Sequence, residues 1–138
     1  MRKSSAKRER TKRIAIVNVK AIVFDLDDTL YDEITFVRSG FRAVAEHFYP
    51  QEPNAMFCLM MEVLNKDGRG RVFDEALAYF DIYSKKNVKK ALSIYRSHTP
   101  NISLNPDAKE MLEYYKKKAT PLYIVTDGNK SVQTNKLK

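Results

Sequence analysis

Two aspartates separated by one residue, Asp25 and Asp27, directly follow the apolar segment 21–24. A short, continuous, β-branched apolar segment predicts a buried strand, and side chains two positions apart on an extended chain point the same way. Carboxylates that converge at the carboxyl end of a parallel strand repel each other, so they favour a shared proton or a divalent cation. Ligand sets made only of oxygen indicate Mg²⁺ rather than zinc or copper.

Such a pair is suited to phosphoryl transfer in the presence of Mg²⁺. One carboxylate can attack phosphorus and form an aspartyl-phosphate. The other can protonate the leaving oxygen and then activate a water molecule. The metal offsets the negative charge on the phosphoryl group during transfer. An isolated Asp-x-Asp would be interpreted as a polar turn after a strand, so the surrounding residues decide between the two interpretations.

The full segment 23–31 reads Val-Phe-Asp-Leu-Asp-Asp-Thr-Leu-Tyr. It resembles the first motif, Asp-x-Asp-x-Thr-Leu, of the haloacid dehalogenase-like superfamily of aspartate-nucleophile phosphohydrolases. The resemblance implies that Asp25 is the nucleophile and that Thr29 holds the geometry of the turn. It implies that Asp27 is the general acid/base and binds Mg²⁺, the expected cofactor, through its main-chain carbonyl. A small phosphorylated metabolite is the expected substrate, since a cap in this family closes over a small ligand.

A second polar group, Thr126, Asp127 and Gly128, follows the apolar segment 121–125. A hydroxyl that donates a hydrogen bond, free N–H groups near the glycine and the start of a helix together predict a phosphate-binding site. Asp-Gly alone is a common turn, but its place at the end of a predicted strand favours a functional role. The group resembles the second motif of the same superfamily, and Gln133 with Lys136 resembles the usual continuation.

The superfamily's third motif supplies a lysine beside the nucleophile, and its fourth supplies acids that complete the Mg²⁺ shell. Twelve residues follow Thr126, and none of them after Asp127 is acidic. Lys130 and Lys136 come directly after the second motif, a position that favours solvated charges on a helix over the third-motif lysine. We therefore expect the chain to be the N-terminal part of a phosphatase, truncated after the second motif and with little or no turnover of its own.

Apolar segments at 14–17, 21–24 and 121–125 predict strands, and helical periodicity fills most of the sequence between the last two. Strands separated by helices predict parallel pairing, and the helices from Thr35 to Ser97 exceed the needs of one crossover. The expected fold is α/β: a partial Rossmann-like parallel-sheet core with an inserted α-helical cap. The expected domain limits are a tail at 1–13, core at 14–32, cap at 33–104 and further, incomplete core at 105–138.

The formal net charge of +8 belongs mainly to the tail, residues 1–13, which hold seven basic residues and one acid. Asn18 and Lys20 interrupt the apolar run that follows, which argues against a signal peptide. No apolar run reaches the roughly 18 residues of a membrane helix, so we expect no membrane association. The single cysteine, Cys58, leaves no internal disulfide and indicates a reducing compartment, so we expect a cytoplasmic protein.

Two other functions stay open. An interaction module would need a partner chain to cover the incomplete sheet, because a buried-type strand without its neighbour exposes an edge and apolar faces. Alternatively, the tail binds polyanions through counterion release. A solvated extension is the favoured interpretation of the tail, and nucleic acid the less favoured partner, since no aromatic or Gly-rich pattern accompanies the charges.

Overall fold

The computed structural model describes residues 18–138. The predicted strand at 14–17 and the basic tail lie outside the described residues. None of the helices within 18–138 is long and apolar enough to cross a membrane. In chain order the elements are β1 (Ile22–Phe24), α1 (Glu33–Phe48), α2 (Pro53–Asp67), a 3₁₀ turn (Arg69–Arg71), α3 (Val72–Tyr79), α4 (Lys85–Ser97), α5 (Pro106–Lys117), β2 (Leu122–Ile124) and α6 (Lys130–Lys136).

The two strands pair in parallel, with Val23 opposite Tyr123. The helices α1 to α5 lie between them in sequence, as expected for a parallel crossover. This arrangement confirms the predicted α/β fold with a partial parallel-sheet core. The register places the residues after Phe24 beside those after Ile124, so both polar segments emerge at the same edge of the sheet.

Helices α1 to α4 surround one apolar cluster, which lies in the region predicted as a cap. Four apolar residues of α1, spaced to share one face of the helix, are buried there: Val37, Phe41, Val44 and Ala45. Gly40 lies on the same helix where it meets α4, and a Cβ atom at this position would lie 2.4 Å from Cδ2 of Tyr95. Glycine therefore allows α1 and α4 to approach closely.

A second apolar cluster lies under the sheet and joins it to α1 and α5. Phe24 and Leu26 contribute from the strand and the turn, and Ala108 contributes from α5, which begins at Pro106, a residue common at the first position of a helix. Tyr95 of α4 packs against both clusters. It therefore connects the cap helices to the part of the chain that carries the two motifs.

The strands are buried on one face only, so the prediction of a buried strand holds for one face, and the other face is exposed as expected for an incomplete sheet. Val23 is 60% exposed, Tyr123 56% and Val125 67%. These alternate residues share one face, while Ile22, Phe24 and Leu122 point into the second cluster. Among the described residues, helices cover only that second face, so the continuous apolar pattern does not reflect two-sided burial here. The domain limits and the cytoplasmic location stay predictions.

Candidate active site

The first motif forms a tight turn between β1 and α1. Asp28 adopts a left-handed conformation, with φ of 53°, which aspartate tolerates better than most residues. Its Oδ1 accepts a hydrogen bond of 2.8 Å from the N–H of Glu33 and so caps the first turn of α1. The hydroxyl of Thr29 makes no hydrogen bond to a described residue. Its role in the turn stays a prediction, and the side-chain support in this structure comes from Asp28.

Asp25 lies exposed at the carboxyl end of β1. Its Oδ1 accepts a hydrogen bond of 2.8 Å from the N–H of Leu26. No other described residue forms a hydrogen bond or ion pair with this carboxylate. It is therefore accessible to a substrate, as a nucleophile must be.

Asp27, by contrast, is held by three side chains. The ammonium of Lys136 lies 2.7 Å from Oδ1, the amide Nε2 of Gln133 lies 3.0 Å from Oδ2, and the hydroxyl of Tyr31 donates to Oδ1. The Lys136 side chain is only 4% exposed, and its ammonium lies 4.5 Å from the ring centre of Phe36, a cation–π contact. The expectation of a solvated charge at Lys136 is therefore wrong, because the helix turns this residue inward onto Asp27.

These contacts determine the protonation states of Asp27 and Tyr31. Burial acts to raise the pKa of the Asp27 carboxyl, but the hydrogen bonds from Lys136, Tyr31 and Gln133 outweigh it and hold this pKa below its ordinary value. Burial and the nearby Asp27 charge raise the pKa of the Tyr31 hydroxyl far above its ordinary value. Asp27 is thus an ionised proton acceptor here, and Tyr31 is a donor.

Gln133, which is 7% exposed on α6, joins the two motifs. Its Nε2 lies 3.0 Å from Oδ2 of Asp27, 2.6 Å from Oγ1 of Thr126 and 2.9 Å from the carbonyl oxygen of Asp127. The two hydrogens of this amide are thus shared among three acceptors. Gly128 has φ of 110° in the turn before α6, a conformation that favours glycine. The acid/base candidate and the phosphate-binding candidate are therefore parts of one hydrogen-bonded network.

The second motif keeps part of its predicted phosphate-binding capacity. The Thr126 hydroxyl accepts from Gln133, which leaves its own hydrogen for a ligand, since its contact with the Asp127 carbonyl is long at 3.4 Å. The N–H groups of Asp127 and Gly128 donate to no described residue. The Asn129 side chain accepts from the N–H groups of Ser131 and Val132, so part of the start of α6 is already engaged, and its expected contribution to phosphate binding stays a prediction.

The geometry agrees with a comparison to known families. The model for haloacid dehalogenase-like hydrolases matches residues 22–138. The chain belongs to the haloacid dehalogenase-like hydrolase family. Among solved structures it is similar to one described as the crystal structure of a dehalogenase, at 18% identity and a TM-score of 0.38, over 87% of this chain. The chain spans 56% of the length of that structure. No curated protein matches it.

The Mg²⁺ ion expected from the family resemblance fits this haloacid dehalogenase-like site if two oxygen donors hold it, the Asp25 carboxylate and the main-chain carbonyl of Asp27. Residues 18–138 contain no group of three or more His, Cys, Asp or Glu side chains placed to hold a metal. Mg²⁺ commonly keeps several waters and takes only one or two carboxylates with substrate phosphates. The Asp25 carboxylate is accessible for this role, whereas the Asp27 carboxylate is engaged. Asp27 would therefore contribute its main-chain carbonyl.

Two contacts in this family member were not predicted from its sequence. Tyr31 lies four residues after Asp27 and donates to it, and Lys136 was assigned to solvent. The three-residue spacing of Gln133 and Lys136 was the available signal, because it places both side chains on one face of a helix. Because Gln133 resembles part of the second motif, the face that it shares with Lys136 could have been predicted to point toward the site.

Proposed function

We propose that this chain carries the catalytic aspartates and the phosphate-binding segment of a Mg²⁺-dependent phosphohydrolase that works through an aspartyl-phosphate. The substrate is a small phosphorylated metabolite. The network around Gln133 supports this proposal most strongly, because it holds the acid/base candidate Asp27 beside the phosphate-binding candidate Thr126. The accessible Asp25 carboxylate is left to attack.

In the first step an Asp25 oxygen attacks phosphorus and the bond from phosphorus to the ester oxygen breaks. Asp27 takes up a proton when the phosphate dianion binds beside it, and it gives that proton to the leaving oxygen. The hydroxyl of Thr126 donates to a phosphoryl oxygen. In the second step water attacks the phosphorus of the aspartyl-phosphate, and ionised Asp27 accepts the proton of that water. Lys136 and Tyr31 keep the Asp27 carboxylate oriented throughout. Mg²⁺, when bound by Asp25 and the Asp27 carbonyl, would offset the phosphoryl charge.

Binding of inorganic phosphate tests this assignment without depending on turnover. We expect calorimetry in the presence of Mg²⁺ to detect phosphate binding to the full chain. Thr126→Val should weaken it about tenfold, since the hydroxyl supplies a hydrogen bond to a charged group worth about 1.5 kcal/mol. Thr134→Val, at an exposed position of α6, is the matched control and should bind normally. Equal affinities of all three proteins would contradict the assignment.

The exposed sheet face supports a second candidate function, association with a partner chain. Val23, Tyr123 and Val125 present apolar side chains side by side on this face. Contiguous exposed apolar patches commonly mark interaction sites. Sedimentation should detect an assembly that Tyr123→Lys dissociates and that Tyr79→Lys, at an exposed cap tyrosine, leaves intact. A well-folded monomer at all concentrations would count against this candidate.

A further inference from the structure

A cleft of about 480 Å³ lies between α4 and α6, and its lining is polar and basic. The lining residues of α4 are spaced to share one side of that helix: Lys89, Ser93, Arg96 and Ser97. Ser131 and Asn135 line the cleft from α6, and Lys138 lies just beyond. No acidic or aromatic side chain of the described chain lines it. Its volume is within the range of about 300–1,000 Å³ that small-ligand sites have, and its lining favours a polar ligand.

This cleft is separate from the hydrogen-bonded network of the two motifs. Ser131 and Asn135 are four residues apart and so share one face of α6. Gln133 and Lys136 point from another face of the same helix into the network. The side-chain amide of Asn135 also donates to the carbonyl of His98 after α4, which holds the two helices together at the cleft. Helix α6 therefore lies between the cleft and the candidate active site.

The positive charge of the described residues is concentrated on the two helices beside the cleft. Helix α4 carries five basic residues and no acidic one. Helix α6 carries two lysines and no acidic residue. The other described residues include more acidic than basic side chains. Because α4 and α6 are neighbours, their charges act together, and an anion between them is attracted by both.

The two cations of α4 that line the cleft are available to a ligand. Lys89 and Arg96 are exposed and form no ion pair with any described residue. Asp74 of α3 shares a different cavity with Arg96 and does not line the cleft. The hydroxyl of Ser93, between the two cations in sequence, donates to no described residue. Lys89 and Arg96 are two turns apart, about 10 Å along the helix axis, a spacing that favours an extended anion with several charges over a single phosphate ion.

We propose that this cleft binds an oligophosphate, a chain of two or more phosphate groups that is either free or part of a nucleotide. A guanidinium group binds two phosphate oxygens at once, and a lysine ammonium adds a compact charge. The hydroxyl of Ser93 can donate to a third oxygen. A single-stranded nucleic acid is less suited to the cleft, because the lining has no aromatic ring on which a base could stack. This site goes beyond the proposed function, since it uses none of the residues assigned to catalysis or phosphate binding.

Calorimetry on the full chain at low salt and without Mg²⁺ tests the proposal. The probes are inorganic phosphate, pyrophosphate, tripolyphosphate and ATP. We expect affinity to rise about tenfold from phosphate to tripolyphosphate, because the longer anion meets both cations. Added salt should weaken binding, since exposed charges are screened. The series is repeated with Thr126→Val, which removes a hydroxyl of the second motif and should leave the affinity for tripolyphosphate unchanged.

Three variants of α4 separate the cleft from the general charge of the chain. Arg96→Gln should weaken tripolyphosphate binding about tenfold, because it removes a two-bond contact with phosphate oxygens. Lys89→Gln should weaken it by about fivefold or less, as is usual for an exposed ion pair. Lys90→Gln removes the same charge from an exposed position that does not line the cleft, and should change affinity by less than about twofold. All three positions are accessible to solvent, and circular dichroism checks that each variant is folded.

Tripolyphosphate binding that Arg96→Gln weakens and Lys90→Gln preserves supports the cleft. Tighter binding of ATP than of tripolyphosphate would then indicate a nucleotide as the source of the phosphates, and equal or weaker binding of ATP would indicate the phosphate chain alone. Absence of tripolyphosphate binding overturns the proposal, and so do equal losses in Arg96→Gln and Lys90→Gln.

Two further results would assign the anion to another site or class. Loss of tripolyphosphate binding in Thr126→Val would place the anion at the second motif, which overturns the cleft proposal and supports the proposed function. A single-stranded oligonucleotide that binds in an Arg96-dependent way while tripolyphosphate does not would also overturn the proposal.

Discussion

Lys136 lies 2.7 Å from Asp27, with its side chain almost fully buried, although 109 residues separate the two in sequence. The contact ties the end of α6 to the turn after β1. A lysine buried to this extent needs a partner charge, because an isolated ammonium is costly to remove from water. The pair therefore holds the two motifs together and orients the acid/base candidate.

Replacement of this lysine should cost stability. Lys136→Met keeps the apolar stem but leaves Asp27 with two neutral donors. We expect the free energy of unfolding to fall by about 1–2 kcal/mol, less than for a fully buried pair because Asp27 is partly exposed to solvent. Urea titration measures it. Lys130→Met, at an exposed position of the same helix, should change stability by less than about 0.5 kcal/mol. Equal losses would argue against the pair.

Gln133→Leu tests the bridge between the motifs. Leucine fills a similar volume but donates no hydrogen bond, so Asp27, Thr126 and the Asp127 carbonyl all lose a partner. We expect phosphate affinity to fall about tenfold, and stability to fall by about 1–3 kcal/mol because polar groups are left unsatisfied. Calorimetry and urea titration give the two numbers. Normal phosphate binding by a folded Gln133→Leu protein would show that the bridge is not needed for the site.

Gly40→Ala tests the close approach of α1 and α4. The new methyl group would lie 2.4 and 2.6 Å from two carbons of the Tyr95 ring, so the ring must move. Overpacking costs about 1–3 kcal/mol, which exceeds the gain of up to about 1 kcal/mol from alanine's helix propensity. The unfolding free energy should fall.

Gly70→Ala is the control for this change, because nothing lies within 4 Å of a Cβ atom there. Stability of that variant should stay within about 0.5 kcal/mol of the original. Equal stability of Gly40→Ala and Gly70→Ala would contradict the close approach of α1 and α4 at Gly40.

His98 should make stability depend on pH. Its Nδ1 lies 2.7 Å from the carbonyl of Tyr95, so Nδ1 carries the hydrogen, and the buried Nε2 has no hydrogen-bond partner among the described residues. Burial lowers the pKa of this histidine below 6.5. The unfolded chain therefore takes up the proton first as pH falls, which favours unfolding. The contribution of neutral His98 to the free energy of unfolding is fully present above about pH 6.5. It declines as the pH falls from there toward the lower pKa of the folded state.

Urea titrations between pH 7.5 and 5 measure this dependence. His98→Gln should remove much of the decline, whereas His47→Gln should keep it, since His47 is exposed. The chain has only these two histidines. A decline that persists unchanged in His98→Gln would assign it to other groups.

Residue patterns predicted the parts of this molecule that depend on local spacing. The apolar segments before Asp25 and Thr126 predicted parallel strands, and the helical periodicity between them predicted the helices that connect the two strands. Patterns did not predict the burial of Lys136, because lysine is usually solvated and its partner is remote in sequence. Patterns also did not show which face of the strand at Val23 is exposed, since burial of a strand depends on what covers it.

Covalent labelling tests the central claim, attack by Asp25 on phosphorus, most directly. The full chain would be treated with Mg²⁺ and acetyl phosphate, a small phosphoryl donor with a good leaving group, then quenched in acid and fragmented in a mass spectrometer. We predict one phosphoryl group on Asp25, absent from Asp25→Asn and retained in Asp107→Asn, which alters an exposed aspartate of α5. No label on the chain, or a label that persists in Asp25→Asn, would contradict the account.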